Sequence, residues 1–502
     1  LVAERFNNPD PLTDLVHAPL AHWARLRGQA VAISDGFENG CSLTFAELNA
    51  AVQQRAAALT QAQAPATVLV DDSAASIHQL VEFLAITSSG RCAAMADPDW
   101  PAALRETVRE QIGQLPPALS TLAELQSISP TAPFYIGFTS GSSGMPKGFR
   151  RHHRSWTESF RICVNTFGPD AASGILSPGR SSHSLFLFGM LLGLWTGAGV
   201  VIQDQFSASR ALNTLRQGQT PCLIAVPSQL MLMIELAARH AIAPIEATRL
   251  IMISGARWAR HRTAELQALF PQARIVEFYG ASETSFIAWM EADARAPLEV
   301  VGRPFGNVEV DIRDASAPGG PGLIFVRSPM LFMDYIGAKT NPTADATAAI
   351  HDGDWLSVRD IGHLDAQGRL CLAGRQNRMI TTQGKNLFPE ELESVLTAHP
   401  SIAKASVQCV PDALRGMKVV AVMQPEPAYA GELHAAELSA WCRTQLEAYK
   451  APKRYFVCDD WPLTTSGKTD HAALALRLQN HFNDKDDHIQ NSDTPCPLRP
   501  LL

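Results

Sequence analysis

The chain has 502 residues, 46% of them hydrophobic and 18% charged, with a net charge of −7. That length exceeds what one hydrophobic core supports and calls for two or more domains. The acidic balance excludes a chain-wide nucleic-acid surface, so an anionic ligand must meet a local cluster of cations. Nine cysteines, none in a CxxC pair, read as reduced thiols and suit a cytoplasmic protein. The opening residues LVAERFNNPDP carry no basic stretch leading into an apolar run, so no secretory leader is expected.

In chain order, Thr44 with Glu47 three residues on forms a capping box for a helix over 43–60. ATVLV at 66–70 reads as a buried strand, 77–90 as a helix ending at Gly90, and 92–98 as another short strand. The uncharged run 184–203, SLFLFGMLLGLWTGAGVVIQ, is as long as a membrane span. Gly193, Gly197 and Gly199 interrupt it, so it reads as a buried helix, a turn and a strand, with no membrane span. Apolar segments at 223–240 and 250–256 continue a β-α alternation that predicts parallel sheets covered by helices.

From about residue 300, short strands divided by Gly, Pro and Asp suggest a β-rich, barrel-like subdomain. After Arg375 a smaller α+β unit begins, its first helix near Pro389–Ala398 with Pro at N1 and glutamates in the first turn. The expected organisation is a large domain over 1–376, a small mobile domain over 377–479, and a polar, disordered tail over 480–502.

Four stretches carry candidate chemistry. TSGSSGMPKG at 139–148 places glycines, hydroxyls and Lys147 after a strand-like FYIGF, which suits a phosphate, although the Walker pattern is not met. EFYGASET at 277–284 ends a strand with Tyr279, Gly280 and Glu283. Asp360 and Arg375 close two strand-like segments, and a carboxylate there can accept two ribose hydroxyls. PLTTSGKTD at 462–470 holds Lys468 in a small-residue loop. Each stretch alone also fits an ordinary turn.

Together, in this order, they resemble the adenylate-forming superfamily of acyl- and aryl-CoA synthetases, luciferases and peptide-synthetase adenylation domains. LTFAEL (43–48), DPDWP (97–101), SGA (254–256), YGASE (279–283), VGRP (301–304), QGKNLFPEELE (383–393) and AYKAPK (448–453) extend the resemblance along nearly the whole chain. It implies a fold of two α/β subdomains plus a small β-barrel-like subdomain, followed by the mobile α+β domain. The implied reaction is ATP-dependent activation of a carboxylic acid to an acyl-adenylate, then transfer to a thiol, as in an AMP-forming acid–thiol ligase.

By this resemblance Thr139, Ser140, Gly141, Ser142, Ser143, Gly144 and Lys147 would wrap the ATP phosphates. Gly255 and Ala256 would wall the adenine and Tyr279 would stack on it, with Glu277 and Gly280 also in the nucleotide site. Ser282 would touch the α-phosphate, Glu283 would hold Mg²⁺, and Asp360 and Arg375 would bind the ribose. Lys468 would be the mobile catalytic lysine, Asn377 the hinge, and Gly384 part of the tunnel for a pantetheine arm. Arg359 stands where the family has Gly, and is expected to face solvent.

Amino-acid-activating relatives carry an Asp where this chain has Ser184, and Asp170 alone lies between Glu158 and Asp204. An α-amine would lack its charge partner, which is costly when buried. An aryl or short-to-medium acyl acid is therefore favoured, with His183, Ser184, Phe188 and Phe278 as pocket candidates. The two phenylalanines also fit a plain core. The thiol is CoA or the phosphopantetheine of an acyl carrier protein acting in trans. Arg150, Arg151, Arg154, Lys450, Lys453 and Arg454 would form a basic rim for either, or merely solvate the surface. A nucleotide-binding protein with decayed catalysis is the alternative, against which Lys468, Glu283 and Asp360 argue; luciferase-like oxidation is a third.

Overall fold

The computed structural model describes residues 14–37, 40–70, 76–115, 128–139, 146–315, 317–336, 348–382, 385–412, 416–429, 433–464, 467–486 and 498–501. By internal packing the chain divides into two units. The first runs to Ala294 and adds Val301–Asp311 and Phe325–Val358; the second holds Arg295–Val300, Ile312–Ile324 and the chain from Arg359.

The first unit contains two sheets. In one, Leu250–Ile253 lies between Cys222–Ala225 and Arg274–Ala281, parallel to both. Ile175–Ser177, Val200–Ile202 and Val31–Ser34 extend the sheet in parallel, and Ser285–Glu291 folds back antiparallel on Arg274–Ala281. CLIA and LIMI are buried at every position, as strands covered on both faces must be. Leu223, Ile251 and Ile275 pack with Leu230, Leu266, Phe270 and Trp258 from the covering segments. Full burial of each such aliphatic side chain contributes about 1.5–3 kcal/mol.

The second sheet joins Thr67–Leu69, Cys92–Ala94 and Pro133–Thr139 in parallel, then Lys147–His152 and Asp334–Tyr335 antiparallel. The capping box forms as expected: Glu47 N–H donates to Thr44 Oγ1 and Thr44 N–H to Glu47 Oε2. The uncharged run also divides as expected, into helix Ser184–Trp195, a turn and strand Val200–Ile202. Gly197 and Gly199 have positive φ, and a Cβ on either would strike the Trp23 ring or the Val31 carbonyl. Among the described residues no helix is long and apolar enough to cross a membrane.

The second unit is α+β. Ile402–Asp412, Gly416–Pro425 and Arg454–Val457 form a sheet covered on one side by Pro389–Thr397 and Ala435–Gln445 and on the other by His471–Asp486. Against an expected boundary after residue 376, hairpin Asp360–Arg375 groups by packing with the small unit, as do Arg295–Val300 and Ile312–Ile324. A Cβ on Gly374 would overlap Phe388 and Glu390. The stretch from 480 is not wholly a loose tail either. The last helix continues to Asp486, Arg499–Pro500 pairs with Arg454–Val457, and Leu498 is buried in the apolar cluster beneath.

Candidate active site

Ligands of parallel α/β sheets bind beyond the carboxyl ends of the strands, and the expected nucleotide residues of the first unit collect there. Gly255 and Ala256 follow Leu250–Ile253, while Tyr279 and Gly280 end the adjacent parallel strand, in register through the Ile253–Glu277 pair. Ser254 Oγ donates to the Phe278 carbonyl at 3.0 Å and ties the two ends together. Gly255 has φ +88°. A Cβ on Gly280 would collide with the Ser285 carbonyl, so only glycine fits this bulge. Glu277 lies deeper. Arg260 Nε donates to it at 2.9 Å, and burial holds its carboxyl above the ordinary range while Arg260 pulls it back.

In the second sheet, Thr139 and Lys147 are cross-strand partners at the mouth of a hairpin. Ser140, Gly141, Ser142, Ser143 and Gly144 lie outside the described residues. Lys147 Nζ sits 5.8 Å from the centre of the Tyr335 ring, and Tyr335 Oη donates to Glu283 Oε1 at 2.9 Å. Tyr335 therefore joins the lysine of the hairpin to the glutamate of the turn after Tyr279. The Glu283 carbonyl accepts Phe332 N–H at 2.7 Å.

Beneath that turn lies Arg151, 1% exposed. Its Nη1 donates to the Ser282 carbonyl at 2.6 Å, and its Nη2 to Ser285 Oγ and the Met330 carbonyl, each at 2.6 Å. Nε donates to Ser155 Oγ at 3.2 Å. Burial pushes the guanidinium down to about 9, and the Glu283 carboxylate acts against that shift. Arg151 is thus not a rim or surface charge. Arg150 is held by Asp334, and Lys450 by Glu391 and Glu447. Three of the six expected rim cations are therefore committed elsewhere.

In the second unit, Asp360 and Arg375 are direct cross-strand partners. Asp360 is buried and accepts Arg375 Nε at 3.2 Å, while the Arg375 side chain is 60% exposed. Arg359 does not simply face solvent: its Nη1 donates to Gln376 Oε1 at 3.0 Å. Its φ is +66°, the left-handed region that favours glycine, which gives a backbone reason for the family's Gly there. Asn377 is exposed in the turn Gln376–Arg378, and the next residue, Arg378, is anchored by Glu390 and Glu393. Lys468 is exposed in a loop closed by Thr464 N–H to the Lys468 carbonyl and Lys468 N–H to Thr464 Oγ1. Gly384 lies outside the described residues.

The acid-pocket candidates divide. His183 precedes helix Ser184–Trp195, and Ser184 Oγ is 3.4 Å from Tyr135 Oη. Phe188 and Phe278 both pack edge-on to Phe286, at 5.0 and 4.8 Å. Asp97, distant in sequence, brings a buried carboxylate 3.9 Å from His183 Nε2. Counting carboxylates along the local chain missed it. Asp97 is shared with Arg180 at 3.4 Å and with Asp99 N–H.

The AMP-binding enzyme family model matches residues 105–336, and the model of its C-terminal domain matches 391–468. An acyl-CoA ligase of Bacillus subtilis, itself uncharacterised, is 38% identical over 349 residues, which cover 68% of each chain. This chain belongs to the AMP-binding enzyme family. Another family member, from Staphylococcus epidermidis and named for long-chain fatty acid–CoA ligases, is 28% identical over 68% of this chain and 70% of its own. The fold is that of o-succinylbenzoate CoA synthetase from Bacillus subtilis, solved with its acyl-adenylate. The TM-score is 0.74 at 22% identity, over 91% of this chain and 97% of that one. This AMP-binding enzyme is an acid–thiol ligase of the AMP-forming class, and its curated relatives are named as CoA ligases.

Two residues were not assigned to this site by the sequence reading, which did not name Tyr335 and took Arg151 for a rim or surface cation. Tyr335 comes from a segment far along the chain and no motif marks it. Arg151 sat in a basic run, RRHHR, that resembles solvated charge. The available signal was strand alternation. With Phe149 turned inward on strand Lys147–His152, Arg151 two residues later shares its face.

Proposed function

We propose that this ligase activates a small aryl or short-to-medium acyl acid, not an α-amino acid, and transfers it to the thiol of CoA. A carboxylate oxygen attacks the α-phosphorus of ATP, the bond to the bridging oxygen breaks, and pyrophosphate leaves. The CoA sulfur then attacks the acyl carbon of the adenylate, and AMP leaves. The carrying observation is the Lys147–Tyr335–Glu283 series at the mouth of the Thr139–Lys147 hairpin. In this reading, that cation and that anion would meet a triphosphate and its counter-ion.

Glu283 suits Mg²⁺, which binds through one or two carboxylates together with substrate phosphates. Bound there, the ion would offset charge on the phosphoryl oxygens. Thr139, Lys147 and the loop between them would hold the phosphates. Gly255, Ala256, Tyr279 and Gly280 would hold the base, Ser282 the α-phosphate, and Asp360 with Arg375 the ribose. Glu277 would support the strand from below through Arg260. Lys468 would supply positive charge to the reacting phosphoryl group, and Asn377 would serve as the hinge that exchanges Lys468 for the Gly384 segment between half-reactions.

The acid would lie beside His183 and Ser184. Phe188 and Phe278, packed on Phe286, support a short pocket. Asp97 is shared with Arg180, which also pairs with Asp99, and this charge partner disfavours an ammonium group there. The test is acid-dependent ATP–pyrophosphate exchange over a panel of aryl, short, long and amino acids, followed by thioester formation with CoA or with a carrier protein. Exchange with aryl or short acids and product with CoA support the reading. Preference for amino or long-chain acids, or for a carrier, would replace that part of it. No exchange with any acid would favour a binding protein.

A further inference from the structure

Burying a cation with no carboxylate hydrogen-bonded to it is costly, and an apolar side chain of similar volume would serve mere packing as well or better. Arg151 is such a cation: none of its hydrogen bonds goes to a carboxylate. Its donors instead converge on two stretches of chain. Nη1 and one Nη2 bond take the carbonyl of Ser282 and the hydroxyl of Ser285, either side of Glu283. The other Nη2 bond takes the carbonyl of Met330, just before Phe332 and Tyr335, which contact Glu283 themselves. Ser285, at φ +57°, is held in a conformation that L-residues rarely adopt. The strand that carries Arg151 also carries Lys147 at its start. One short strand thus bears both the lysine of the phosphate hairpin and the guanidinium beneath the glutamate turn.

We infer that Arg151 is the positioning residue of the metal and phosphate side of the site. It clamps the Ser282–Ser285 turn to the Met330–Tyr335 segment, so that Ser282 and Glu283 are presented together to Mg²⁺ and ATP. This rests on the adenylation reading above. Arg151 itself touches neither substrate nor metal. Loss of a residue that orients a metal ligand typically lowers metal affinity or activity about 10–100-fold.

The test compares wild type with Arg151→Gln and Arg151→Lys, each checked for folding by thermal unfolding. ATP affinity is measured by calorimetry with and without Mg²⁺, in the absence of acid, and exchange is then measured with the best acid. The inference expects Arg151→Gln to lose most of the affinity that Mg²⁺ adds, and to slow kcat about 10–100-fold with little change in the KM for acid. Arg151→Lys should recover part of both. Wild-type Mg²⁺ dependence and kcat in a folded Arg151→Gln protein would overturn the clamp, as would an equal weakening of acid binding. Should Arg151→Gln fail to fold, Ser285→Ala removes one clamp bond and must lower the same two readouts several-fold; no change there overturns the inference. If wild type shows no acid-dependent exchange yet Arg151→Gln loses the Mg²⁺-dependent affinity, the adenylation reading fails and the clamp stands.

Discussion

The turn carrying Glu283 and the loop carrying Lys468 hold their functional side chains in opposite ways. Glu283 is fixed by Tyr335, by Phe332 N–H and, through its neighbours, by the buried Arg151. Lys468 lies in an exposed loop closed through Thr464. A group that must orient a counter-ion through the first half-reaction gains from rigidity. A group that must arrive and then leave gains from a light tether. On the proposed roles, the contrast suits a Glu283 turn braced between strands Arg274–Ala281 and Ser285–Glu291 and a Lys468 that would act from a loop.

Loss of the Lys468 ammonium should have the largest effect. Lys468→Ala is expected to slow adenylation about 10²–10³-fold, while thiolation of a supplied acyl-adenylate continues near the wild-type rate. Single-turnover assays of each half-reaction check this, and equal loss of both would remove the division of labour. On the rigid side, Tyr335→Phe deletes one hydrogen bond to a carboxylate. Such bonds contribute about 1.5–3 kcal/mol, so the Mg²⁺ concentration for half-maximal exchange should rise roughly tenfold or more. An unchanged Mg²⁺ titration would show that Tyr335 does not orient Glu283.

A smaller, graded effect should follow from pH. His152 and His153 come directly after Arg151. Burial, with the charge of Arg151, lowers His152 to about 4; burial drives His153 well below its ordinary value. Both therefore bind protons more readily in the unfolded chain. Stability should be complete above about pH 6.5 and fall as pH drops toward 4. Thermal unfolding at pH 7.5 and 5.0 should show a lower Tm in acid, and a flat profile between them would contradict a neutral, buried His153 and a neutral, half-buried His152.

What the sequence made legible follows the same division. The residues named for the site were reached through the family resemblance, on motifs continuous in sequence. The structure then pairs Thr139 with Lys147 at a hairpin mouth, puts Gly255 and Tyr279 at neighbouring strand ends, and sets Asp360 opposite Arg375. Groups brought in by tertiary contact could not be reached in this way. Tyr335, Asp97 and the inward face of Arg151 depend on which strands become neighbours, and local pattern carries little of that. The end of the chain was misjudged for a related reason: its polar composition hid Leu498 and Leu501, which pack on two apolar clusters either side of a short edge strand.

The most direct measurement follows oxygen. With an acid labelled with ¹⁸O in its carboxylate, turnover with ATP and CoA should place one labelled oxygen in the phosphate of AMP and none in pyrophosphate. AMP free of label, or formation of ADP instead, would contradict attack of the carboxylate on the α-phosphorus.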